Sequence, residues 1–114
     1  MIVNDGANDI ASGYIAANYT KVKVGSGSSS TSASDTELDS YVFHKTVTPS
    51  VMSNSNQMLW NVSFTGTELG NEGVSELGIF HATTDKLLSR VTFTNTGVLA
   101  SADTLTFTIR MVVG

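Results

Sequence analysis

Leu105-Thr106-Phe107-Thr108-Ile109-Arg110-Met111-Val112-Val113 decides the fold class of this chain. Leu105, Phe107, Ile109, Met111 and Val113 fall on one face, and Thr104, Thr106, Thr108 and Arg110 on the other. A period of two is what a strand half-buried on a core requires, because successive side chains point to opposite faces. Two further strand-like runs precede it, Val74-Ser75-Glu76-Leu77-Gly78-Ile79-Phe80-His81-Ala82 and Leu87-Leu88-Ser89-Arg90-Val91-Thr92-Phe93. Upstream, Met58, Trp60, Val62 and Phe64 alternate with Leu59, Asn61, Ser63 and Thr65. Trp60 is expected to be the largest single contributor to the core.

Earlier in the chain the strands are shorter. Over residues 19–24, Val22 and Val24 point one way and Lys21 and Lys23 the other. Over residues 41–47, Tyr41, Phe43 and Val47 are expected on one face, and Val42, His44 and Thr46 on the other. Pro49 is the only proline, and it ends this strand or bends it because it cannot donate to a sheet ladder. Turns are expected at Asn4-Asp5-Gly6, at Ser53-Asn54-Ser55-Asn56, over residues 66–73, at Thr83-Thr84-Asp85-Lys86 and around Gly97. Val98 or Leu99 is expected to fold inward. Residues 10–17 read equally as a short helix, which Gly13 weakens, or as an arm that packs on a neighbour. Residues 25–36 are a Gly/Ser tract, the usual composition of a flexible loop. Ser34 or Asp35 is placed to cap a helical turn running to Ser40, with Leu38 as its buried anchor. About six or seven strands without a sustained helical period predict an all-β chain, a single antiparallel β-sandwich or jelly-roll-like domain. It is expected to span residues 19–114, behind an N-terminal arm of residues 1–18.

Composition narrows the function. The chain has 114 residues, enough for one hydrophobic core, and only 14% of them are charged. Net charge is −4, from six Lys/Arg and ten Asp/Glu. Lys21, Lys23, Lys45, Lys86, Arg90 and Arg110 are too few and too dispersed for the concentrated basic surface that nucleic acid requires. There is no cysteine, so disulfides and thiolate metal sites are excluded. No apolar run approaches the roughly 20 residues that span a bilayer as a helix, and the N-terminus lacks a signal-peptide pattern. The chain reads as soluble and made without export.

No reaction centre stands out, so the expectation is a non-enzymatic protein with no catalytic, cofactor or metal residues. His44 and His81 have no partner at metal-ligand spacing and read as strand histidines. Asp5 and Asp9, with Asn4 and Asn8, lack the pattern of a calcium loop. The Gly/Ser tract lacks the Gly-Lys-Ser/Thr ending of a phosphate-binding loop, and no Gly-x-Ser-x-Gly elbow occurs. Asn18-Tyr19-Thr20 and Asn61-Val62-Ser63 match the glycosylation pattern and read as chance. Glu76 is the odd charge in an apolar run. It reads either as an outward-facing strand residue or as the partner of Arg90 on the next strand.

Two stretches taken together resemble small structural proteins of tailed bacteriophages. The first is Val24-Gly25-Ser26-Gly27 followed by Asp35-Thr36-Glu37-Leu38. The second is Glu76-Leu77-Gly78-Ile79-Phe80-His81-Ala82, then Leu88-Ser89-Arg90-Val91-Thr92-Phe93 and Asp103-Thr104-Leu105. His81 and Ser89 stand where Asn and Ala are commoner, and Thr84-Asp85 replaces the usual glycine pair. The resemblance implies a virion protein: a cement or decoration protein on the outer surface of the capsid, or a tail or tail-fibre component. As implied partners it brings the major capsid protein and further copies of the chain as a homotrimer, and no cofactor. A reading of another class is a carbohydrate-binding β-sandwich module, which a surface-exposed cluster at Tyr14, Tyr19 or Tyr41 would favour.

Overall fold

The structure, a computed structural model, describes residues 10–51 and 56–113. The expected turn at Asn4-Asp5-Gly6, the candidate ligands Asp5 and Asp9 with Asn4 and Asn8, and most of the turn at residues 53–56 lie outside them. The chain is an antiparallel sandwich of two sheets. Its strands are β1 (Lys21–Gly25), β2 (Tyr41–Thr46), β3 (Ser50–Val51), β4 (Gln57–Thr65), β5 (Glu76–Phe80), β6 (Leu87–Thr92) and β7 (Thr104–Val112). One sheet has the order β2-β1-β5-β6 and the other β3-β4-β7.

Helical backbone precedes the first strand, π-type over Ile10–Ile15 and then one α-helical turn, α1 (Ala16–Asn18). Ile15 and Ala16 are buried. The arm is therefore anchored on its own sandwich at Ile15 and Ala16, while Ile10 and Tyr14 are exposed. Tyr19 then runs beside the core, where its carbonyl accepts the Trp60 indole N–H at 2.8 Å. A buried indole needs such a partner.

The two longest strands, β4 and β7, pair without a break from Gln57↔Val112 to Thr65↔Thr104. Met58, Trp60, Val62 and Phe64 form the buried face of β4, as their alternation predicts. They meet Val22 and Val24 of β1 and Leu77 and Ile79 of β5 in one cluster. The chain passes from one sheet to the other through Pro49, which is buried between β2 and β3. In the connection before β7, Leu99 is the residue that turns inward, and Val98 is exposed.

Two local expectations are corrected. Tyr41 lies on the outer face and not beside Phe43. The pairing of β1 with β2 shifts between Val24 and Gly25, so Val24 faces Phe43 while Gly25 faces Tyr41. The bulge at Val42 inserts one residue and reverses the alternation. Residues 34–40 make no helical turn. A tight turn forms instead at Ser32–Asp35, where the Asp35 N–H donates to the Ser32 carbonyl at 3.0 Å and its carboxylate accepts from the Ser32 N–H at 3.0 Å. Leu38 is buried, as expected of an anchor.

Candidate functional site

Every residue of β5 is buried, on both faces. One face is the sandwich core. The other would be solvent, but residues 26–40 cross over it. Gly25↔Glu76 and Lys23↔Gly78 fix which side chains lie on that outer face. Glu76 and Gly78 are therefore covered by residues 26–40, and Phe80, with Lys23 Nζ 4.2 Å from its ring centre, is buried beside them.

Glu76 holds the tract down. Its Oε2 accepts the N–H of Gly27 at 2.8 Å and of Ser40 at 2.9 Å, and its Oε1 accepts the N–H of Asp39 at 3.0 Å. Arg90 completes the clamp from β6. Its Nε donates to Glu76 Oε1 at 2.9 Å, its Nη1 to Asp35 at 3.2 Å, and its Nη2 to Asp39 at 3.2 Å and to the Ser29 carbonyl at 3.2 Å. Asp39 in turn accepts the Ser29 N–H and hydroxyl. The Ser75 hydroxyl donates to the Gly27 carbonyl at 2.6 Å. Glu76 is 0% exposed and the Arg90 side chain 2%, so the pair is buried and almost fully hydrogen-bonded. Such bonding is what a buried ion pair needs to offset its desolvation.

The electrostatics follow. Burial alone pushes the Glu76 carboxyl up, but the N–H groups of Ser40 and Asp39, the Arg90 guanidinium and the Gly27 N–H outweigh it. The carboxyl sits below its ordinary range. Burial disfavours the charged Arg90, and its bonds to Glu76 and Asp35 outweigh that, holding it more firmly protonated. The sharper reading of Glu76 is the one the geometry gives. It is the buried partner of Arg90, not an outward-facing strand residue.

The glycines of the tract are spacing devices. A Cβ on Gly27 would fall on the Glu76 carboxylate and on Asp39, and one on Gly25 would lie 2.6 Å from Glu76 Oε2. A Cβ on Gly78 would lie 2.6 Å from the Phe80 ring and 3.0 Å from Leu38. Gly-Ser-Gly, Asp-Thr-x-Leu, Glu-Leu-Gly-x-Phe and Leu-x-Arg are thus parts of one device. A signal for it exists in the sequence: β5 carries apolar residues on both faces, Leu77 and Ile79 on one and Gly78 and Phe80 on the other, the mark of a strand covered on both sides. The roles of Ser29, Asp39 and Ser40 carry no such signal, because Ser40 acts through its backbone N–H and carbonyl, and the Ser29–Asp39 pairing depends on how the loop folds back.

Beside this clamp lies a polar pocket of about 320 Å³, between Thr31, Ser32 and Asp35 on the loop and Leu87–Arg90 on β6. Its guanidinium is already engaged. Other charges on this sheet are paired as well. Asp85, in the turn after β5, bridges Lys21 at 3.0 Å and Lys23 at 2.8 Å. Lys23 Nζ also lies 4.2 Å from the centre of the Phe80 ring.

The histidines take structural roles. His81 Nδ1 accepts the N–H groups of Thr83 and Thr84, each at 3.1 Å, which shapes the turn between β5 and β6. His44 Nδ1 meets the Tyr41 hydroxyl at 2.6 Å on the surface. Among the described residues, no three His, Asp or Glu side chains are grouped to hold a metal ion. Tyr14 and Tyr19 are neighbours, with ring centres 6.2 Å apart, and the edge of His81 meets Tyr19 at 5.3 Å. Tyr41 pairs with His44 instead of joining them.

A different surface is apolar. Val91 of β6 is opposite Leu77 on the core side of its sheet, yet it is 43% exposed where Leu77 is 2% exposed. Across from it, Leu105, Phe107, Ile109 and Met111 of β7 are only half-buried, although their β4 partners are buried. Phe93 and Phe107, with ring centres 5.3 Å apart, bridge the two sheets there. The sandwich is closed along β1 and β4 and open between β6 and β7.

The class these features define is an all-β antiparallel sandwich with a clamped surface loop and one open apolar side. No protein-family model matches the chain, and no curated protein matches it in sequence. The likeness to phage structural proteins rests on the short motifs themselves.

Proposed function

We propose that this chain is a non-enzymatic virion protein, a capsid cement or decoration protein of a tailed bacteriophage. In this role it sits on the outer surface of the shell, binds the major capsid protein and stabilises the particle. One observation supports the reading. Gly25, Gly27, Asp35, Leu38, Glu76, Gly78 and Arg90, which carry the resemblance, come together in a single device. Words matched by chance have no reason to meet in space, whereas words that reflect a shared fold do. A cement protein also needs what this chain has, a surface loop tied down on its sheet. Each contact with the shell can be weak, because many copies act together.

The test is the copy number on purified particles from the phage that encodes the chain, read from a stained gel. Hundreds of copies per particle, together with a higher melting temperature of shells to which the purified protein is added back, are expected. A handful of copies assigns the chain to the tail instead. No association with particles overturns both virion readings.

A carbohydrate-binding module is the second reading, favoured by the Tyr14–Tyr19 pair, with Tyr14 55% exposed. Sugar rings stack on exposed aromatics of this kind. Binding to isolated glycans that is lost in Tyr14→Ala, without particle association, would select it.

A further inference from the structure

Among the described residues the two sheets end in four edge strands, β2, β6, β3 and β7. An exposed edge is a template for another strand, and proteins protect edges with bulges, short length, lysine or proline. Three of the four carry such protection. The β1–β2 pairing is bulged and β2 carries Lys45. The β5–β6 pairing shifts register between Ile79 and Phe80. β3 is only two residues long. β7 has nothing comparable: nine residues, no proline, no register shift and a single charge, Arg110. It also borders the open apolar side.

From this we infer that β7 is a self-association edge, where it pairs antiparallel with β7 of a second copy about a two-fold axis at Thr108. Full overlap of Thr104–Val112 with itself centres on Thr108, and it sets Leu105 opposite Met111, Phe107 opposite Ile109 and Thr106 opposite Arg110. The half-buried side chains of each copy then meet those of the other on one face, which the period of two requires of a correct register. The open sides between β6 and β7 face each other across the axis, giving Val91 and the β7 apolar row a cover.

Charge favours a second copy over another occupant. The chain carries −4 overall, but the outer faces of β4 and β7 hold Gln57, Leu59, Asn61, Ser63, Thr65 and the β7 threonines, with Arg110 alone charged. An acidic partner strand finds one cation there, and a basic one finds no anion. A second copy sets a hydroxyl across from each Arg110. The two arginines are four residues apart along the pairing, about 13 Å, which exceeds the roughly 8 Å Debye length at physiological salt. The two-fold arrangement differs from the three-fold association implied by the phage resemblance, and it does not rest on the virion reading.

The chain has no cysteine, so a single introduced thiol reports the register cleanly. Residues directly opposite in an antiparallel pair have Cα atoms roughly 4.5–5.5 Å apart, within disulfide reach. The purified protein is expected to form dimers by light scattering as concentration rises. Under oxidised glutathione, Thr108→Cys is expected to give a covalent dimer, and Thr106→Cys, whose symmetry mate lies four residues away, is not. Thr108→Lys, which sets like charges face to face on a solvent-facing position, is expected to keep the circular dichroism spectrum and weaken the dimer several-fold. A monomer at all concentrations overturns the inference. So does a trimer, or any oligomer in which the Thr108→Cys variant fails to cross-link. Because only the isolated chain is used, these outcomes are separate from the particle test above.

Discussion

Arg90 and Glu76 are two residues apart in register on neighbouring strands, since Gly78 faces Arg90 and Glu76 faces Thr92. Gly78 has no side chain to separate them, and the diagonal is short enough for a direct bond. The ion pair is buried, so removing Arg90 leaves the Glu76 carboxylate without a counter-ion, and removing Glu76 leaves Arg90 only the partly exposed Asp35 and Asp39. Glu76→Gln and Arg90→Gln are each expected to lower stability by about 3–5 kcal/mol. The double variant is expected to cost clearly less than the sum, by about 1–3 kcal/mol. Chemical denaturation of the four proteins measures this, and strict additivity would show that the two groups do not act as a pair. The sequence marks Glu76 as an anomaly and Arg90 as its candidate partner. It does not say that the pair is buried, because the cover comes from residues 26–40.

Residues 25–36 look like a flexible loop by composition, yet the structure ties residues 26–40 at several points. Ser26 donates to the Ser40 carbonyl at 2.9 Å, which closes the base of the loop. Glu76 then collects three of its backbone N–H groups, and these would otherwise need water. Glycine matters here for close approach and not for flexibility. Gly27→Ala is expected to push the tract off β5, so that protease cleaves within residues 26–40 at enzyme levels that leave the wild type intact. Ser30→Ala, on an exposed position with no role in the clamp, is expected to change nothing. Equal cleavage of wild type and Gly27→Ala would show that the tract is already loose. The strands behave differently. Their alternation is a local property, so β4 and β7 are legible residue by residue. β2 is legible only up to its bulge, because one extra residue at Val42 moves Tyr41 to the other face.

Across the whole molecule, stability depends on carboxylates that are held ionised. Glu76 is lowered by backbone N–H groups and Arg90 against the opposing effect of burial. Asp39 is lowered first by the Ser29 hydroxyl and N–H, Glu68 by the Thr65 N–H and then Lys45, and Asp85 by Lys23 and Lys21. Each folded-state value lies below the ordinary 4.5 for Glu or 3.8 for Asp. The unfolded chain therefore takes up protons first as pH falls. These contributions are complete above roughly pH 5 and are lost as pH drops through the folded-state values. The melting temperature is expected to be flat between about pH 5 and 8 and to fall below that range. Added salt should weaken the part due to exposed Asp85 and leave the buried Glu76 part in place. A melting temperature that rises on acidification below about pH 4 would contradict this account.

By itself the sequence determined the class of fold, the strands of the core and the place of Trp60 within it. The reason is that burial on one face imposes a period of two, and that period is written in consecutive residues. Only the tertiary structure decided that the Gly/Ser tract is a clamped cover, that Glu76 is buried, and that β7 is the unprotected edge of an open side. Those features depend on which distant segments lie over which faces, and a strand's own residues do not carry that information.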